Sequence, residues 1–122
     1  MGDRQFSLDE ARELLAEFAP AVAELIRLRA ELTAALHDRE TGDESIPLAD
    51  LKGMEARLSE LLDGFRGQGV EVKGWAPLLL DFPMAPDGEI LLCWLEGEDG
   101  IGWCHDARHG FAGRRPLEEQ EG

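Results

Sequence analysis

Between residues 6 and 65 the apolar positions recur at steps of three and four, the period of a helix with one buried face. Ser7-Leu8-Asp9-Glu10 has the form of a capping box, in which the Ser7 oxygen takes the third helical amide and Glu10 reaches back; Phe6 stands where a hydrophobic staple would. Ala11, Leu15, Phe18, Val22, Leu25, Leu32 and Leu36 then make a heptad seam, interrupted at Arg29. The pattern predicts one long helix over residues 8–39, kinked or split near Ala19 because Pro20 lacks an amide proton and its ring crowds the preceding turn. A polar loop, 40–47, follows, and Pro47 suits the first turn of a second helix over 48–65 with the seam Leu51, Met54, Leu58, Leu61 and Phe65. At 1.5 Å per residue the helices measure about 48 and 27 Å. Folded back as an antiparallel hairpin, the second would end opposite residue 20, leaving residues 8–19 to pack through Leu8, Leu15 and Phe18 on whatever comes next.

From Gly69 the period changes to two. Val70 and Val72 flank Glu71 as a short strand, Leu78 to Phe82 reads as a second, Glu89 to Leu95 as a third and Ile101 to His105 as a fourth. Ala85-Pro86-Asp87-Gly88 and Gly97-Glu98-Asp99-Gly100 supply the turns, with Pro preset for the second turn position and Gly free to take positive φ. The expected fold is therefore α+β: a helical hairpin over residues 1–68 and an antiparallel β-meander over 69–122, together one compact unit. A four-residue loop at 97–100 would set Cys93 opposite Cys104, and a two-residue turn would set Trp94 opposite His105.

Composition narrows the function classes. The 122 residues carry a net charge of −14, and the acid is spread along the chain rather than gathered in a tail. So uniform a negative field repels phosphate backbones and anionic lipid, which argues against nucleic-acid and membrane partners. No apolar run approaches the roughly 18 residues needed to span a bilayer. The opening MGDRQFSLDE has neither the cationic nor the apolar region of an export signal, and two cysteines do not make a disulfide scaffold, so the cytoplasm is the expected compartment.

Chemistry-bearing residues cluster late in the chain. Cys93, Cys104 and His105 are candidate ligands for a transition metal, with His109, Glu96 and Asp106 nearby. Alternation of side chains along a strand keeps Cys104 and His105 from both ligating without a bulge, so core packing of the thiols is the simpler expectation. Asp81 interrupts the apolar run Leu78-Leu79-Leu80 before Phe82. Arg114 and Arg115 are two of only four basic residues after residue 68, so a structural ion pair with Asp81 or Glu96 is expected, with an anion clamp as the other possibility. No phosphate-binding glycine loop, nucleophile elbow or His-Glu-x-x-His motif is present.

Three stretches carry a resemblance: Leu92-Cys93-Trp94-Leu95-Glu96-Gly97-Glu98, then Trp103-Cys104-His105, then GFAGRRPL at the end. With the opening Phe6-Ser7-Leu8-Asp9-Glu10-Ala11 and Val70-Glu71-Val72-Lys73 followed by LLLDFP, the chain resembles the prokaryotic family called domain of unknown function 2203 over nearly its whole length. The family pattern falls on Lys73, Asp81, Phe82, Cys93, Trp94, Glu98, His105, Gly110, Phe111, Gly113, Arg114 and Pro116. Cys104 departs from it, since the family more often carries an aromatic residue before the histidine. The resemblance implies a helical hairpin with a small sheet and assigns no activity.

Two readings follow. In the preferred one, favoured because no recognised catalytic constellation appears, the chain is a protein-interaction or scaffold module. It would act through a coiled-coil face of the hairpin, with Leu28 and Leu62 as spare exposed leucines for a protein partner or a homodimer. In the other it is a small metal-binding or catalytic protein whose polar site on the sheet comprises Asp81, Cys93, Glu98, His105 and Arg114. His105 would then be base or ligand, and Arg114 would orient an anion.

Overall fold

A computed structural model describes residues 4–117. Three helices, α1 (Leu8–Glu17), α2 (Ala19–Glu40) and α3 (Leu48–Gly67), precede five strands: β1 (Glu71–Trp75), β2 (Leu78–Pro83), β3 (Ile90–Leu95), β4 (Trp103–Asp106) and β5 (Arg115–Pro116). The strands form one antiparallel sheet in sequence order, so the protein is α+β. A 3₁₀ turn, Gly110–Gly113, lies between β4 and β5. This turn and β5 lie beyond the expected strands; β5 is two residues long and ends in Pro116, which leaves no alternation to read.

The chain separates into two compact units, one of residues up to 17 with those from 65 onward, the other of residues 18–64. In the first, the capping box forms as expected: the Ser7 amide donates to Glu10 Oε1 at 2.8 Å and the Glu10 amide to Ser7 Oγ at 3.1 Å. The long helix expected over 8–39 is two helices, broken at Phe18 with Pro20 in the first turn of the second, where its missing amide proton costs nothing. Ahead of α1, Phe6 docks on the sheet. Its amide donates to Pro83 O at 2.8 Å and its carbonyl accepts from the Ala85 amide at 2.9 Å. Its ring meets Phe82 edge-on at 5.6 Å. Ala11 and Leu14 are the buried residues of α1, whereas Leu8 and Leu15, expected to carry its packing, are half-buried.

In the second unit the chain turns through residues 41–47, and the Arg57 guanidinium takes both carboxylate oxygens of Glu24 at 2.7 Å, tying α3 back to α2. The buried seam of α2 is Leu25, Leu28, Leu32 and Ala35, so Leu28, expected on an exposed side, is a core residue at 8% exposure. Leu36 is 45% exposed and Leu62 half-buried. The predicted seam of α3 is buried at Leu51, Leu58 and Leu61 in this unit, and Phe65, the first residue of the other unit's second stretch, is buried as well.

Register decides what the sheet can do. Leu91 pairs with His105, Leu92 with Cys104 and Cys93 with Trp103. Both registers expected for β3 and β4 are therefore corrected. Cys93 is opposite neither Cys104 nor any other thiol, and because alternate residues point to opposite faces, the two cysteines lie on different faces of the sheet. Leu80, Phe82, Leu92 and Cys104 share the face that Phe6 and Leu8 approach. The other face carries Asp81, Cys93, Trp103 and His105.

Candidate metal centre

On that second face Asp81 of β2 pairs directly with Cys93 of β3, and His105 of β4 pairs with Leu91, one step along the same side of β3. Asp81 and His105 thus reach across the middle strand and meet: His105 Nε2 lies 2.9 Å from Asp81 Oδ2. The carboxylate is 1% exposed and the imidazole 3%. The ligand atoms of Asp81, Cys93 and His105 all fall within 4.8 Å of one another.

Hydrogen bonding fixes the imidazole. Nδ1 lies 2.9 Å from the Asp106 carbonyl oxygen, which can only accept, so Nδ1 carries a proton. Nε2 is left to Asp81, and their contact needs one further proton, held by one atom or the other. Asp81 Oδ1 is buried without a well-formed hydrogen bond, and the Cys93 thiol lies close enough to the carboxylate to interact with it. Burial pushes the Asp81 carboxyl above the ordinary carboxylate range, against the opposing pull of His105, Cys93 and Lys73. Cys93 is also fully buried; burial, followed by the Asp81 charge, pushes its thiol up to about 12, although Arg114 pulls the other way. The thiol is therefore a poor free nucleophile at neutral pH.

Arg114 closes one side of the cluster. Its guanidinium lies 4.8 Å over the rings of both Trp103 and Phe111, donates to Glu98 Oε1 and interacts with the Cys93 thiol. Glu98 is held in turn, since its Oε1 accepts from the Leu95 amide at 2.8 Å and its carbonyl from Trp94 Nε1 at 3.0 Å. The ion pair expected for Arg114 thus exists, but with Glu98 rather than Asp81 or Glu96. Glu96 instead accepts from the Leu78 amide at 2.9 Å. Arg115, on β5, faces Cys104, so the consecutive arginines serve opposite faces, each beside one cysteine.

The five residues singled out as a polar site, Asp81, Cys93, Glu98, His105 and Arg114, are brought together. Cys104 is not: it lies on the opposite face, away from Cys93 and His105, and the third donor-bearing residue beside those two is Asp81. The sequence signal for Asp81 was the acid interrupting an apolar strand, read there as half of an ion pair. The Trp103–Arg114–Phe111 stack and the Asp106 carbonyl went unrecognised, the last because a backbone acceptor leaves no trace in residue type.

A cavity of about 270 Å³ opens onto Asp81 and His105, walled by Leu79, Leu91 and Phe111, with Lys73 beside it. Lys73 is the bulged residue of β1, where the register shifts between Val72 and Gly74, and bulges commonly re-aim a side chain in this way.

Fold and site together define a small α+β protein with a buried Asp–Cys–His cluster on one face of a five-stranded sheet. The chain belongs to the family described as uncharacterized conserved protein (DUF2203), whose model matches residues 4–117. Neither a curated protein nor a solved structure matches it. None of the helices among the described residues is long and apolar enough to cross a membrane.

Proposed function

We propose that this protein binds a divalent transition metal, zinc by preference, through Asp81, Cys93 and His105, with a fourth position open to the cavity. The observation that carries this is a buried oxygen, sulfur and nitrogen donor set within 4.8 Å, in which the carboxylate oxygen Oδ1 makes no well-formed hydrogen bond and the Cys93 thiol lies beside the carboxylate. Leaving such an atom unsatisfied is costly, and an ion would satisfy it.

The donor chemistry supports the choice of metal. Zinc accepts thiolate, imidazole and carboxylate at bonds of about 2.0–2.3 Å, which sets tetrahedral ligands about 3.5 Å apart. The present separations, from 2.9 Å between Asp81 and His105 to at most 4.8 Å, bracket that spacing. Donation from Nδ1 to a backbone carbonyl leaves Nε2 as the ligand atom, the usual arrangement for a metal-binding histidine. The proton shared by His105 and Asp81 and the Cys93 thiol proton are the two that a cation would displace. Three protein ligands with an open position are the pattern of zinc sites that act on a bound ligand rather than sites that only staple a fold, and an ion there supplies Lewis acidity. The interaction reading of the hairpin is weaker, because Leu28 is spent in the core.

Metal analysis of untagged protein purified without chelator, with zinc titration of the stripped protein, tests the reading. One equivalent should bind, and Cys93→Ser, His105→Ala or Asp81→Asn should each abolish it, while Cys104→Ser should not. Binding unchanged by the first three substitutions, in variants shown to be folded by circular dichroism, overturns it.

A further inference from the structure

We infer that the cavity above the cluster is a binding site for a small carboxylate with an apolar body, the carboxylate completing the metal's coordination and meeting Lys73. This rests on the metal reading above and adds the class of ligand.

Charge selects a monoanion. A divalent cation held by the Asp81 carboxylate and a Cys93 thiolate is formally neutralised, so the site would attract no further anion on its own account. Arg114, paired with Glu98 and set against two rings, does not line the cavity. Lys73 is the single cation lining the cavity. Its ammonium lies 2.9 Å from Glu71 with both side chains about half exposed, a surface pair of small worth that a ligand carboxylate can replace. One positive charge suits one negative charge, and a phosphate dianion is disfavoured in a chain of net charge −14.

Shape and polarity select the rest of the ligand. Apart from Lys73, Asp81 and His105, the walls are apolar side chains with Gly110, and Phe111 offers a ring. A volume of about 270 Å³ falls just below the roughly 300–1,000 Å³ of drug-sized sites, so the body is small, of the size of one aromatic ring. The bulge at Lys73 and the 3₁₀ turn bearing Phe111 aim the charge and the ring into one space from opposite ends of the sheet.

The test uses full-length protein loaded with cobalt(II), whose visible spectrum reports coordination, titrated with benzoate and, separately, with inorganic phosphate. Benzoate should shift the spectrum saturably. Lys73→Met and Phe111→Ala should each weaken it about tenfold or more, and Lys73→Met, outside the donor set and the stack on Arg114, should leave the benzoate-free cobalt spectrum unchanged. Phosphate should bind less tightly than benzoate. An intact cobalt spectrum that benzoate does not perturb, or a response that neither variant weakens, overturns this inference and leaves the metal site standing. Phosphate binding tighter than benzoate overturns the charge argument. Failure to acquire any cobalt spectrum overturns both the site and its ligand.

Discussion

At the scale of single residues the main effect is burial of groups that prefer water. Cys93 holds its proton up to about 12 in the folded chain and at the ordinary, lower thiol value in the unfolded one. The unfolded state therefore binds fewer protons through this interval, and folding stability falls as pH rises from the ordinary thiol range toward 12. For metal-free protein the slope from this group is about 1.4 kcal/mol per pH unit, and Cys93→Ala should remove that part of the alkaline slope in denaturant melts. The same proton must leave when a metal binds, so apparent zinc affinity should rise at least about tenfold per pH unit near neutrality, with proton release measurable by calorimetry in buffers of different ionisation enthalpy. Arg114 interacts with the thiol, and outer partners of this kind are worth about 10–100-fold in metal affinity. Arg114→Gln should weaken zinc binding by that order and leave its stoichiometry at one, because the three donor atoms remain.

At the scale of elements, the opening segment and the sheet each show what sequence can and cannot specify. The capping box at Ser7 and Glu10 was legible because it needs only two residue types at a fixed spacing, and it forms. Strand positions were legible from alternation and from the turn residues around Pro86 and Gly97. Register was not. A shift of one residue in the pairing sum moves every side chain of β4 relative to β3, and Gly97–Gly102 admits several loop lengths at little cost. That single integer separates the two cysteines onto opposite faces and joins Asp81 to His105. The face of Leu14 over Leu15 in α1 was missed for a related reason, since the break at Phe18 frees α1 from the heptad phase of α2. Two substitutions test the elements. Phe82→Ala, which removes a fully buried ring packed edge-on against Phe6, should cost about 3–5 kcal/mol in chemical denaturation. Gly113→Ala should displace the 3₁₀ turn, because a Cβ there would lie 2.6 Å from His109 Cβ. Its readout is lower metal affinity through Phe111 and Arg114 with little change in the sheet's circular dichroism.

At the scale of the whole molecule, the two compact units carry different kinds of information. The hairpin of residues 18–64 is built on an apolar seam with charged residues elsewhere, and its ion pairs, such as Glu24 with Arg57, are largely solvated. Leu28→Glu should therefore lower the thermal midpoint by burying a charge, whereas Leu36→Glu, at a half-exposed position, should stay within about 0.5 kcal/mol of the parent. The unit holding α1 and the sheet contains every residue of the cluster. Its members come from β2, β3, β4 and the segment leading into β5, so the site exists only once the sheet has closed. The overall charge of −14 favours encounter with cations, so metal association should slow with rising salt while the stoichiometry holds.

Whether Asp81, Cys93 and His105 bind one metal together is read from the electronic spectrum of the cobalt(II)-loaded protein. A sulfur-to-cobalt charge-transfer band, accompanied by intense visible bands of a four-coordinate ion, is the predicted result. The charge-transfer band should disappear in Cys93→Ser and persist in Cys104→Ser. A spectrum of hexa-aqua cobalt, or a charge-transfer band that follows Cys104 instead, would mean that these three residues hold no such ion.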